Sequence, residues 1–103
     1  MDSITASFRR GITIGNVTHH QFELRAPSVG DLLDAEMECP TSRLLGYQAA
    51  LAAKVMTRLG NYEGPITSAM FRRLSSGDFA ILQKALNEAE QLGEDSPTVP
   101  AQS

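Results

Sequence analysis

Two adjacent histidines, His19 and His20, four carboxylates at Asp31, Asp34, Glu36 and Glu38, and one thiol, Cys39, are the side chains with most chemical promise in this 103-residue sequence. A metal centre or an acid–base pair needs such groups to converge. The histidines lie in a stretch with strand-like alternation, and neighbours on a strand point to opposite faces, so one ion is not readily held by both. The carboxylates follow helical spacing with no histidine among them and no glycine-rich calcium loop, and a solvated helix face accounts for them. Cys39 has no activating histidine nearby and reads as a small loop or helix-end residue. No Ser-His-Asp or Cys-His arrangement can be argued from spacing. Gly11, Gly15 and Gly30 are turn residues rather than a phosphate-binding loop. The expectation is a protein that is not an enzyme and carries no cofactor or metal.

Bulk properties exclude further classes. Net charge is −3, so attraction to a nucleic-acid backbone is not expected. The Arg9-Arg10 and Arg72-Arg73 doublets lack the interleaved aromatics of single-strand binders. A single cysteine rules out an internal disulfide framework and fits a reducing cytoplasm. No apolar run approaches a membrane span, and Met1-Asp2-Ser3-Ile4 lacks the features of a secretion signal. With 42 % apolar and 20 % charged residues, the chain reads as one soluble domain over 1–93, acting where it is made. The segment 94–103, with Pro97, Pro100 and little bulk, reads as a disordered tail.

The elements that must position these residues follow from periodicity. Alternation suggests a strand over 3–9, a break at Gly11, a second strand from Ile12, a tight turn at Gly15-Asn16 and a third strand over 17–25. Pro27 ends the extended stretch, and Ser28 with Asp31 forms an acidic capping box that starts a helix. That helix carries Val29, Leu32, Leu33 and Met37 on one side and ends at Cys39-Pro40. A second helix runs from about Thr41 to Leu59, with Gly60 as its cap. It shows two apolar stripes, Leu44, Leu51, Val55, Leu59 and Leu45, Ala49, Ala53, Met56. One stripe covers a small sheet; the other needs a further helix or a further chain. Thr67 starts a short helix to Leu74. Ser75 to Asp78 repeats the capping logic before a last helix to Leu92, whose Phe79, Leu82, Ala85, Leu86 and Ala89 share a face. The fold class is α+β: a small N-terminal antiparallel β-meander followed by three to four α-helices.

Charge is segregated along the chain. Residues 23–38 hold five acids and one base, 43–73 five bases and one acid, and 74–103 five acids and one base. Either packed helices neutralise one another, or Lys54, Arg58, Arg72 and Arg73 meet an acidic partner segment. A helix-turn-helix reading of the last two helices gives a second function class, a small DNA-binding regulator. The acidic last helix argues against it.

The order of these parts, with two phrases in it, resembles the Mu-like tail assembly chaperones of long-tailed bacteriophages. The first phrase is Leu24, Arg25, Pro27, Ser28, Gly30, Asp31 and Leu32; the second is Leu74, Ser75, Asp78, Phe79 and Leu82. The likeness spans about residues 3–92, and the loop over 60–65 is longer and more polar than the family pattern. The resemblance implies a non-catalytic factor in the host cytoplasm that binds the tape measure protein, a long helical chain, while tail tube subunits polymerise around it. It implies absence from the finished virion; a structural tail subunit retained there is the alternative. Helix-in-groove packing of exposed apolar stripes offers a mechanism. Leu45, Ala49 and Met56, with Met70 and Phe71, are the candidate surface, unless they fill the domain's own core. A homo-oligomer formed through the second stripe is compatible with the same pattern.

Overall fold

A computed structural model describes residues 3–94. The first two strands, β1 (Ser3–Ile14) and β2 (Val17–Arg25), form an antiparallel hairpin across the expected Gly15-Asn16 turn. Instead of two short strands separated at Gly11, β1 is one long strand with a bulge. Pairing runs from Ser3↔Arg25 to Ser7↔Gln21, slips, and resumes at Ile12↔His19. Gly11 allows the slip: its φ of 84° is left-handed, and a Cβ there would collide with the His19 carbonyl.

Helix α1 (Val29–Glu38) starts at the expected Ser28 cap and ends at Cys39. Helix α2 (Leu44–Val55) is shorter than its spacing suggests. The expected helix through Leu59 gives way at Met56, and Met56–Leu59 forms β3, the third strand of the sheet in the order β1-β2-β3. Met56 pairs with Leu24 and Leu59 with Phe22, and all four are buried. Beyond β3, the Gly60 N–H donates to the Gln21 carbonyl at 2.7 Å. Gly60 has φ 55°, and a Cβ there would strike the His19 ring. The meander therefore contributes two strands, and the third comes from beyond two helices. A helix made of 56–59 would leave the free edge of β2 unpaired, and pairing wins over helical spacing.

The segment starting at Thr67 is a 3-10 helix (Ser68–Arg73), followed by α3 (Ser76–Glu94). Leu82, Ala85, Leu86 and Ala89 of α3 are buried, with Phe79 half-buried beside them, as the periodicity requires. Helix α3 lies along β1, while α1 packs chiefly on α2. The core joins Phe8, stacked on Phe22 at 4.4 Å, to Leu24, Leu51, Val55, Phe71 and Leu82. Apart from Glu94, which ends α3, the expected tail over 94–103 lies outside the described residues.

Candidate functional site

The two capping phrases determine where the helices stand. At the elbow after β2, the Ser28 N–H donates to Asp31 Oδ2 at 2.8 Å, and the Asp31 N–H to Ser28 Oγ at 3.2 Å. Arg25 then grips the same carboxylate through both guanidinium nitrogens, at 2.7 and 3.1 Å, and donates to the Lys54 carbonyl at the end of α2. One arginine thus ties β2, the start of α1 and the end of α2 together. These bonds hold the Asp31 carboxyl at about 2, the Arg25 contact contributing most.

The second phrase works differently. Ser75 Oγ accepts the Asp78 N–H at 3.1 Å, but the Asp78 side chain does not close a box. It points into the bulge of β1 and accepts the N–H groups of Arg9, Arg10 and Gly11 at 2.7, 2.9 and 3.0 Å. Asp78 is 1 % exposed. Burial alone would raise its carboxyl, but the three backbone donors outweigh that and hold it below the usual range. The bulge and the helix start are a single construction.

Neither phrase forms a catalytic constellation. His19 is buried, its ring 6.1 Å from that of Tyr62, while His20 is exposed and pairs with the Phe8 carbonyl. Among the described residues, no group of three or more His, Cys, Asp or Glu is placed to hold a metal ion.

What the fold leaves outside is apolar. Val29, Leu33 and Met37 of α1 are 70, 55 and 86 % exposed, and Leu44 and Leu45 at the start of α2 are 59 and 60 %. The α1 residues recur every fourth position and form one stripe. Ala35, on the opposite side, is buried, and Leu32, on a flank, is half-buried; α1 packs chiefly on α2. The single apolar side expected for this helix is therefore two sides, one packed and one bare. The sequence groups Val29, Leu33 and Met37 with Leu32 on one side of the helix and does not mark the three as surface. Their four-residue spacing was the signal.

The residues expected to receive a partner do not form one surface. Leu45 lies on the bare end of the α1–α2 hairpin. Ala49 and Arg72 line a shallow groove with Cys39 and Ser68. Met70 and Arg73 line a separate cleft with Ile12, Ile14 and Tyr62, where Arg73 donates to the Thr13 carbonyl at 3.4 Å. Met56 and Phe71 are buried, at 6 and 4 % exposure, and are not surface residues. Along the second stripe of α2, Leu45 is exposed, Ala49 and Ala53 are half-buried and Met56 is buried, with α1 and the 3-10 helix packed against α2. Lys54 pairs with Glu38 at 3.5 Å and Arg58 with Glu23 at 3.4 Å, so two of the four expected basic contacts neutralise the acidic block within the molecule. Arg72 and Arg73 remain exposed.

Residues 8–99 match the family described as tail assembly protein gp41. No curated protein and no solved structure matches the chain.

Proposed function

We propose a task within phage tail assembly from a plain premise: the chain belongs to the tail assembly protein gp41 family. In this reading it is a non-catalytic chaperone that covers an apolar helical segment of the tape measure protein until tail tube subunits replace it. The observation that carries the reading is the bare stripe of Val29, Leu33 and Met37 on α1, with Leu44 and Leu45 also exposed at the start of α2. A small domain seldom leaves several large apolar side chains together in water without a partner for them. Burying one such side chain fully is worth ~1.5–3 kcal/mol, so five that are 55–86 % exposed contribute roughly 5–10 kcal/mol before the cost of association. That magnitude suits a complex that must later be released.

The reading also draws support from the other end of the molecule. A DNA-binding function built on α3 would use side chains from the start of that helix. Asp78 stands there, buried and committed to β1.

Coexpression with tape measure fragments tests the proposal. The native chain keeps such a fragment soluble and copurifies with it. The double variant Leu33→Asp, Met37→Asp retains its circular dichroism spectrum but leaves the fragment in the pellet. Equal rescue by both proteins, or abundant chain in purified virions by mass spectrometry, contradicts the role.

A further inference from the structure

The bare stripe of α1 has a charged border, and the border describes what should lie on it. At about 100° per residue, Val29, Leu33 and Met37 span roughly 80° of the helix, with Glu36 just outside one margin and Asp34 outside the other. Both acids are exposed. The other acids nearby are engaged: Asp31 by Arg25, Glu38 by Lys54 and Ser68, and Glu23 by Arg58. Asp34 and Glu36 have no ion pair among the described residues; Glu36 acts on the Tyr47 hydroxyl, which burial first and then Glu90 and Glu36 push up. The fold thus neutralises the acids around the stripe and leaves two unpaired, one on each margin.

We propose that the occupant of this face is an amphipathic helix whose apolar stripe is flanked on both sides by lysine or arginine. Basic residues at those positions meet Asp34 and Glu36 at the rim while the apolar residues cover Leu33 and Met37. Rim charges of this kind set partner choice and encounter rate more than affinity. A second copy of the chain docked α1 against α1 would instead bring acids against acids. The inference rests on the reading of the α1–α2 hairpin as the docking face.

The test uses the full chain and three synthetic helical peptides that share one apolar stripe and differ only in its flanks: lysine, glutamine or glutamate. Binding is followed by fluorescence anisotropy at low and high salt. The lysine peptide should bind about 10-fold more tightly than the glutamine peptide at low salt, and the glutamate peptide more weakly still. The lysine advantage should shrink at high salt and disappear in the exposed-surface variant Asp34→Asn, Glu36→Gln. Equal binding of all three peptides, or an advantage that this variant leaves intact, overturns the charge assignment. If Leu33→Asp still abolishes that equal binding, the docking face stands without it. If the lysine peptide does not bind, or self-association of the chain blocks it, both readings fall.

Discussion

Helices α1 and α3 both begin on a serine followed three residues later by an aspartate, yet the two halves of the molecule treat them in opposite ways. In the half built from α3 and β1, the aspartate is buried and bonded to three backbone N–H groups of the strand. The apolar residues of α3 lie on the face it turns to the sheet. In the α1–α2 hairpin, the aspartate sits at the rim under Arg25, and much of the apolar surface faces outwards. The same capping chemistry starts both helices; what differs is whether the helix has a sheet to lie on. One half holds the fold together, and the other offers a surface.

The largest expected effect lies where the sheet closes over the core. Met56→Asp puts a carboxylate between β2 and α2 at a position 6 % exposed, which costs on the order of 5 kcal/mol or more and leaves the chain unfolded or aggregated by circular dichroism. A folded Met56→Asp protein would break the assignment of β3. Next comes Asp78→Ala, which strands three strand N–H groups and should cost roughly 3–5 kcal/mol in urea denaturation. A loss near that of Asp31→Ala would mean that the two aspartates are equivalent after all.

Acid should act through both carboxylates. Each is held below its unfolded value, so its stabilisation is present above about pH 4 and is lost as pH falls through the folded value, about 2 for Asp31. Melting temperature should therefore drop between pH 4 and 2, and Asp31→Asn should flatten part of that slope. Arg25→Ala, which frees the elbow from α2, should cost about 1 kcal/mol and leave α3 unchanged by hydrogen exchange. The smallest effect on stability belongs to Leu33→Asp, within about 0.5 kcal/mol, because the side chain is already half in water.

The parts of this fold visible in the sequence are those set by local chemistry. Ser28, Asp31 and Cys39 mark the ends of α1 without reference to anything distant, and the spacing of Phe79, Leu82, Ala85, Leu86 and Ala89 identifies the inner face of α3. What was not visible depends on neighbours remote in sequence. Met56 and Leu59 are three residues apart, which suits a helix; only the unpaired edge of β2 makes them a strand. Asp78 reads as a capping residue until the bulge at Gly11 is brought against it. The burial of Met56 and Phe71, expected at the surface, has the same origin. Periodicity separates apolar residues from polar ones, but it does not say which of two apolar stripes the rest of the chain will cover. On α2 both are covered beyond Leu44 and Leu45, and on α1 the stripe of Val29, Leu33 and Met37 stays exposed.

Hydrogen exchange on the proposed complex with a tape measure fragment bears most directly on the division between the two halves. Amides over 29–45 should gain protection when the fragment binds, while those of α3 and β1 stay as they are in the free protein. Protection that appears on α3 or β1 and leaves 29–45 unchanged would place the partner on the wrong half and contradict the account.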